Sequence, residues 1–242
     1  MNIELYPCFE HLKNFNNLFV YSDPHFADPE MVYLRKNYIG DEEQVKRINS
    51  VVGKKDAIIF LGDIGDVEWV KKIRGYKILV MGNHDSGKTN YQRKVEMISH
   101  RSDECPICHN KVIYDGKTFD NFGFGYAWCP TCHDTVKPSG DVYEDNHLFD
   151  EVYSGIVALN DKILLSHEPV NIPFMFNIHG HDHSYVEAKS DGLHLNVCAE
   201  HIGYTPISLI KLVKMGMFSN IESIHRATID KATERKKKRV SK

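Results

Sequence analysis

The sequence predicts an α/β fold, and three observations lead to this prediction. Short apolar runs of strand length recur along the chain, helical patterns separate the first of them, and polar residues follow directly after each run. Runs rich in branched residues and bounded by polar turns favour buried strands. The runs are LFVYS (18–22), AIIFLGD (57–63), KILVMGN (77–83), KILLSH (162–167), FMFNIHG (174–180) and HLNVCAE (194–200).

Two helical patterns lie between the first three predicted strands. In residues 41–52, Val45, Ile48 and Val52 recur at helical spacing. Residues 67–75 form a second candidate, which ends at Gly75. Alternating strands and helices indicate an α/β unit, in which active groups gather beyond the carboxyl ends of the strands.

Length and composition are those of an ordinary globular protein. The 242 residues are 42% hydrophobic and 26% charged, with a formal net charge of -3. This charge argues against a protein that coats nucleic acid. No stretch approaches the roughly 20 apolar residues that span a bilayer, and no secretory signal is visible. We therefore expect a cytoplasmic protein without a membrane partner, whose six cysteines are reduced and more suited to metal than to disulfides.

The chain divides by composition into three parts. Residues 1–98 and 151–225 carry the strand and helix patterns and form the predicted main domain. Residues 99–150, rich in Cys, Gly, Asp and Asn, read as a small inserted module. Residues 226–242 form a basic C-terminal tail, and a run such as TERKKKR (233–239) is more often solvated than bound to nucleic acid.

Metal-ligating residue types follow the predicted strands one after another. Asp and Asn also cap helices and form turns, so each position alone has an ordinary explanation. Their succession in chain order instead predicts one site. The residues are Asp23 and His25, then Asp63, then Asn83, His84 and Asp85, then His167, and finally the IHGHDHS stretch (178–184).

This set of ligands can hold two divalent ions. Carboxylate oxygens with imidazole nitrogens suit Mn, Fe or Zn. Two ions about 3.5–4 Å apart need a shared oxygen ligand, and we expect Asp63 to bridge them because its strand lies between the others in ligand order. If the segments are extended, Asp23 and His25 share one side, and His179, His181 and His183 share one face.

The ordered set of motifs resembles the calcineurin-like metallophosphoesterase family. The resemblance covers residues 18 to about 210 without the insert, and the closing LNVCAEHIGYTPISL (195–209) is similar to small bacterial and phage members. The motifs are Asp23-Pro24-His25, Gly62-Asp63, Gly82-Asn83-His84-Asp85, His167 and Gly180-His181-Asp182-His183.

The resemblance implies a four-layer αββα sandwich with a dinuclear centre. It assigns Asp23, His25 and His183 to one ion and Asn83, His167 and His181 to the other, with Asp63 bridging. It implies that His84 contacts the substrate phosphate and protonates the leaving oxygen, and that Asp85 orients His84. His179 receives no role from the resemblance, and we interpret it as a packing or outer-shell histidine.

The insert contains two CxxC pairs. Cys105, Cys108, Cys129 and Cys132 have the spacing of a structural four-thiolate zinc site. CPICH and CPTCH also match c-type haem attachment, which normally requires export to an oxidising compartment. We therefore favour zinc, and with zinc held by the four thiolates His109 and His133 would be exposed or outer-shell groups. The insert's aromatic residues either stack on bases or pack its own strands; they are Phe119, Phe122, Phe124, Tyr126 and Trp128.

Three functions remain open at this point. The favoured one is hydrolysis of a nucleotide or nucleic-acid phosphodiester by water activated at two metal ions. The alternatives are a phosphomonoesterase or nucleotide pyrophosphatase with the same chemistry, and a non-catalytic interaction scaffold. The presence of every matched ligand and of His84 argues against the scaffold.

Overall fold

The computed structural model describes residues 3–85, 94–100, 104–105, 107–119, 125–136, 140–146, 148–183 and 190–240. The chain forms two compact units, Met1–Gln92 with Leu148–Lys242, and Arg93–His147. The expected insert began at 99 and ended at 150, whereas the second unit begins earlier because the strand Lys94–His100 pairs with Gly140–Asn146 inside it.

The mixed α/β class predicted from the sequence is confirmed. Within the described residues, four α-helices and two 3₁₀ helices accompany the strands. The helices are α1 (Met31–Leu34), α2 (Asp41–Val51), α3 (Leu209–Lys214) and α4 (Ile224–Val240), and the 3₁₀ helices are Pro7–Asn14 and Val67–Lys72. The strands are β1 (Leu18–Tyr21), β2 (Ala57–Phe60), β3 (Tyr76–Val80), β4 (Lys94–His100), β5 (Ile113–Phe119), β6 (Gly125–Cys129), β7 (Asp134–Val136), β8 (Gly140–Asn146), β9 (Glu151–Tyr153), β10 (Val157–Ala158), β11 (Ile163–Leu165), β12 (Phe176–His179), β13 (His194–Asn196) and β14 (Ile207–Ser208).

Two sheets build the first unit. The five-stranded sheet has the order β14-β1-β2-β3-β9, and all its pairs are parallel except that of β14. The four-stranded sheet has the order β10-β11-β12-β13, and only β10 is antiparallel. The carboxyl ends of β1, β2 and β3 therefore lie at one edge of their sheet, and those of β11, β12 and β13 lie at one edge of theirs.

The two sheets share one hydrophobic core. Alternate side chains of a strand point to opposite faces, so Leu18 and Val20 of β1 pack in this core with Ile163 and Phe176 of the other sheet. The intervening residues face a second core beneath α2. That second core includes Phe19, Tyr21, Ile58, Phe60, Leu79, Val45, Ile48 and Val70. A helix layer and two stacked sheets are thus present, and the four-layer sandwich stays a prediction.

One helical expectation differs from the observed element, and one helix was not predicted. The segment predicted as a helix over 67–75 is a short 3₁₀ helix, Val67–Lys72, in which Asp66 caps the backbone amide of Glu68. The basic tail is helical as α4, and its residues 231–238 are exposed on every side. Among the described helices, none is both long and apolar enough to cross a lipid bilayer.

The described part of the second unit forms two small sheets. Strands β4 and β8 form an antiparallel pair, and β5, β6 and β7 form a three-stranded antiparallel sheet. Among the residues of this unit whose side chains are described, the four cysteines and Val112 form a hydrophobic cluster. A metal bound by these cysteines would add folding energy to the unit.

Candidate metal centre

All seven predicted ligands follow the carboxyl ends of parallel strands in the two facing sheets. The loops after these strands bring them together from distant parts of the chain. Asp23 and His25 follow β1, Asp63 follows β2, Asn83 follows β3, His167 follows β11, and His181 and His183 follow β12.

The first group of side chains gathers around His167. Its Nε2 atom lies 2.8 Å from Asn83 Oδ1 and 3.1 Å from His181 Nδ1. The same nitrogen lies 3.4 Å from Asp63 Oδ2. Ligand atoms that share an ion at about 2.1 Å lie about 3.0–3.4 Å from one another. These separations are therefore those of a set of atoms that could hold one metal ion.

The second group consists of Asp23, His25 and His183. Asp23 Oδ1 lies 3.2 Å from His183 Nε2 and 3.9 Å from His25 Nε2. The ligand atoms of this group all lie within 4.8 Å of one another, as do those of Asp63, His167 and His181. Each group could hold a metal ion.

Asp63 connects the two groups through a single oxygen. Its Oδ2 atom is 3.4 Å from His167 Nε2 and 3.6 Å from His25 Nε2, which belong to different groups. Its Oδ1 atom accepts a hydrogen bond from the backbone amide of His84 at 3.0 Å. Oδ2 is thus the atom positioned between the two groups.

Some buried polar atoms at the centre have no hydrogen-bond partner and could instead coordinate a cation. Among the described residues, the buried atoms Asp23 Oδ1 and His25 Nε2 make no hydrogen bond. A buried polar atom without a partner is costly, and coordination of a cation removes this cost. Both atoms are predicted metal ligands, so the residues fit the metal ions that the sequence implied.

The electrostatics of both groups favour an added positive charge. Burial opposes protonation of His167, but hydrogen bonding and the charges of Asp63 and Asp23 raise its pKa to about 9. Burial likewise opposes protonation of His183, yet Asp23 and Glu200 raise its pKa to about 9. The pKa of Asp23, which burial alone would raise, is held below its usual range by His183 and His167. A divalent cation would supply the positive charge that these carboxylates favour, and its binding would displace protons from the imidazoles.

The loops that carry the ligands are not extended, which corrects the expectation that the three histidines of the IHGHDHS stretch share one face. Asp23 and His25 nevertheless belong to one ligand group. The backbone φ angles are 55° at Asp23, 46° at His25, 52° at Asp63 and 67° at His181. Non-glycine residues rarely adopt this left-handed conformation, which costs about 1–3 kcal/mol and is concentrated at functional sites. The turn at His181 breaks the alternation, so His179, His181 and His183 do not share a face.

The three histidines of the IHGHDHS stretch have different surroundings. His181 lies beside His167 and Asn83, and His183 lies beside Asp23 and Glu200. His179 is fully buried; its Nδ1 is 2.9 Å from Gly180 O, and its ring packs against that of His194. The packing role interpreted for His179 agrees with these contacts.

At Gly62 and Gly180, neighbouring loops lie so close that a side chain would overlap them. A Cβ atom at Gly180 would overlap Ser22 Oγ and Asp23 Oδ2. Gly62 has a φ of +95°, and a Cβ atom there would lie 2.6 Å from the backbone of Gly82 and from His167 Nδ1. Only glycine lets these loops approach each other closely enough to bring their ligands together.

Asp85 stabilises the loop backbone beneath the ligands. Its carboxylate accepts hydrogen bonds from the backbone amides of Asp63 and Gly82, both at 2.8 Å, and of Ile64 at 3.1 Å. The sequence resemblance implied that Asp85 orients the His84 ring. The hydrogen bonds described for Asp85 instead bind the loop that carries Asp63, so any effect on His84 passes through the backbone.

His84 lies at the edge of a cleft beside the second group. Its side chain is exposed, and its ring centroid is 5.6 Å from that of His25. The cleft has a volume of about 350 Å³. It is lined by His25, Phe26, Ala27, Asp28, Pro29, Gly65, Asp66 and His84.

The four cysteines of the second unit also form a candidate metal site. Cys105 Sγ is 3.9 Å from Cys132 Sγ, and Cys108 Sγ is 3.5 Å from Cys129 Sγ. Four sulfurs at about 2.3 Å around a tetrahedral ion lie about 3.8 Å apart. The backbone amide of Cys132 lowers the pKa of Cys129 to about 7, which favours the thiolate that a metal requires.

His109, Trp128 and His133, which are each next to a cysteine, are exposed. His109 and His133 are exposed and have φ angles of 58° and 52°, so each occupies the tight turn that follows a CxxC pair. Trp128 is 45% exposed and stands opposite the exposed Ile113 on the neighbouring strand, so it does not pack inside the sheet. Phe119 and Tyr126 lie in β5 and β6, and Phe122 and Phe124 lie outside the described residues.

Among the residues that the sequence interpretation missed, Glu200 and Arg35 adjoin the centre. Glu200 Oε1 lies 2.6 Å from His183 Nδ1, and Arg35 Nη2 donates to the backbone carbonyl of Asp23 at 2.6 Å. Glu200 follows β13 as the ligands follow the other parallel strands, so its position carried a usable signal. Arg35 lies beyond α1 and carried none.

Comparisons with known proteins show the fold alone. No protein-family model matches the chain, and none of the curated proteins matches it. Among solved structures, the chain is similar to the protein of unknown function AQ665 from Aquifex aeolicus, with a TM-score of 0.50 and 20% sequence identity. The match covers 82% of this chain and 98% of that chain.

Replacing Gly180 with alanine should disrupt the centre, because the added methyl group overlaps Ser22 and Asp23. We expect Gly180→Ala to lower the free energy of unfolding by about 1–3 kcal/mol and to weaken binding of Mn²⁺. Gly155→Ala is the control, since its Cβ meets nothing within 4 Å and should raise stability by at most about 1 kcal/mol. Chemical denaturation and Mn²⁺ titration measure both effects; equal behaviour of the two variants would contradict the close-approach argument.

Replacing Cys129 with serine should remove one tightly bound metal ion per chain. We expect Cys129→Ser to expose the 93–147 unit to limited proteolysis while Mn²⁺ binding at the Asp/His centre is retained, because the thiolates contribute no ligand to that centre. The exposed Cys8 provides the control variant Cys8→Ser. Metal analysis and proteolysis followed by mass spectrometry test this, and unchanged metal content in Cys129→Ser would refute a four-thiolate site.

Proposed function

We propose that this protein is a metal-dependent phosphodiesterase that hydrolyses a nucleotide or nucleic-acid phosphodiester at a dinuclear centre. The observation that carries this proposal is the position of Asp63 Oδ2, 3.4 Å from His167 Nε2 and 3.6 Å from His25 Nε2. One carboxylate oxygen shared by two ligand groups is the arrangement that a pair of catalytic metal ions requires.

The donor types suggest which ions are bound. The centre offers carboxylate and amide oxygens with imidazole nitrogens, which suit Mn, Fe or Zn, and the four thiolates suit a structural Zn. When bound, two divalent ions at the centre supply Lewis-acid activation of water and neutralisation of phosphoryl oxygens. Asn83, His167 and His181 of the first group would hold one ion, Asp23, His25 and His183 of the second group would hold the other, and Asp63 would contribute to both.

His84 is the proposed proton donor to the leaving oxygen. Its backbone amide is tied to the bridging residue Asp63, and its exposed ring lies beside His25 at the cleft. An alkoxide is a poor leaving group, so protonation by an adjacent imidazole lowers the barrier for an alkyl diester. In this role the proton moves from the His84 ring to the departing oxygen.

The charge of the cleft supports a diester over a monoester. Asp28 and Asp66 contribute carboxylates to its lining, beside His25 and His84. A phosphomonoester carries about -1.5 to -2 charges at neutral pH, whereas a diester carries one. Carboxylates beside the site repel the doubly charged ester more strongly, which favours the diester.

Activity with simple esters tests the proposal. We expect the purified protein with Mn²⁺ to cleave bis-p-nitrophenyl phosphate faster than p-nitrophenyl phosphate. Asp63→Ala should abolish this turnover and lose at least one labile ion, while Asp161→Ala should behave as wild type. Preference for p-nitrophenyl phosphate would favour a monoesterase, and two bound ions without cleavage of any ester in a broad panel would favour a scaffold.

Substitution of His84 should separate acid catalysis from metal binding. His84→Ala is expected to depress turnover of a dinucleotide by about 10²–10⁴, and that of an aryl diester much less, because nitrophenolate departs without protonation. Metal content should be unchanged, since His84 is outside both ligand groups. The exposed His11 supplies the control His11→Ala. Equal losses on alkyl and aryl diesters would rule out proton donation by His84.

A further inference from the structure

A buried arginine and a buried glutamate form a closed ring of contacts with two of the proposed ligands. Glu200 Oε1 lies 2.6 Å from His183 Nδ1, and Glu200 Oε2 lies 3.3 Å from Arg35 Nε. Arg35 Nη2 donates to the backbone carbonyl of Asp23 at 2.6 Å. His183 Nε2, in turn, lies 3.2 Å from Asp23 Oδ1 and closes the ring.

Both outer residues of the ring are removed from solvent. The Arg35 side chain is 1% exposed and that of Glu200 is 8% exposed. Burial of two opposite charges is rarely favourable by itself, because desolvation offsets their attraction. We therefore look for a role other than stabilisation of the fold. Arg35 contacts Asp23 and Glu200 contacts His183, so this role concerns the ligands.

We propose that Glu200 and Arg35 are positioning residues for the ion held by Asp23, His25 and His183. Glu200 accepts the Nδ1–H of His183, which fixes the tautomer with a bare Nε2 atom facing Asp23. Carboxylates that accept the second N–H of a metal-bound histidine orient the ring and increase its basicity. This inference rests on the dinuclear centre of the proposed function and adds two residues to it.

Arg35 has two tasks in this arrangement. Its Nε atom neutralises the oxygen of Glu200 that does not contact His183, so the carboxylate is held in one orientation. Its Nη2 atom fixes the carbonyl of Asp23, a residue whose φ angle of 55° needs external support. The same guanidinium thus couples a ligand backbone to a ligand side chain.

Metal binding without any substrate tests the proposal. The full chain, stripped of metal with a chelator, is titrated with Mn²⁺ by calorimetry. We expect Glu200→Leu to weaken one of two ions about 10–100-fold and to leave the other unchanged, and Glu200→Gln, which keeps an acceptor oxygen, to recover part of the loss. Arg35→Met should weaken the same ion, and the double variant Arg35→Met/Glu200→Leu should lose less than the two single losses combined.

A matched glutamate exists elsewhere in the same unit. Glu151 Oε1 lies 2.6 Å from His11 Nε2, the same distance as in the Glu200–His183 pair. Glu151→Leu removes a histidine-bound carboxylate without approaching the centre, so both Mn²⁺ affinities should equal those of the wild type.

A spectroscopic measurement makes the result independent of stability. In ¹⁵N-labelled protein loaded with ¹¹³Cd²⁺, we expect His183 to show a protonated Nδ1 and an Nε2 coupled to cadmium, and Glu200→Gln to retain this pattern in weakened form. Cadmium coupling to Nδ1 of His183, or wild-type affinity of both ions in Glu200→Leu, would overturn the positioning role. A wild-type chain that binds fewer than two labile ions would overturn the dinuclear centre itself, and the positioning role with it.

Discussion

The burial of two carboxylates at the ends of adjacent parallel strands is the constraint on which the first unit depends. Asp23 and Asp63 are 0% and 2% exposed and follow β1 and β2. Buried negative charges of this kind must be compensated, and the surrounding imidazoles, backbone amides and Arg35 provide partial compensation. The left-handed turns and the closely approaching glycines follow from the need to bring these groups around the carboxylates. The sheets supply rigid positions from which the loops can do so.

Much of the fold could be predicted because strands such as β1, β2, β11 and β12 are buried along their whole length and so appear as continuous apolar runs. Helix α2 was predictable from the spacing of Val45 and Ile48, which both face the core. Helix α4 could not be predicted from hydrophobic periodicity, because it has no apolar face. Its Lys, Arg, Glu and Ala residues favour a helix only through their intrinsic propensity. Strands β4 and β8 pair across about forty residues of sequence, and this long-range pairing could not be predicted from either segment alone.

At the site, residue type and order predicted which side chains meet, because parallel strands deliver their following loops to one edge. Backbone conformation could not be predicted in the same way. The left-handed turn at His181 depends on Asp23, whose carboxylate accepts the His181 backbone amide at 2.9 Å. Arg35 and Glu200 lie far apart in sequence, and only the folded chain shows that they contact each other and that each contacts one ligand, Asp23 or His183. The backbone task of Asp85 likewise appears only in three dimensions.

The parallel pairing of β3 with β9 bears on how this chain could have diversified. In the sequence, the whole 93–147 unit lies within the connection between these two neighbouring strands. Parallel neighbours need a crossover of a dozen or more residues, so this connection must be long even in a protein without the cysteine unit. An ancestral crossover could therefore accept a foreign module without disturbing the sheet register. The same crossover would serve as the natural point of exchange, at which one module is replaced by another while the strand ends remain fixed.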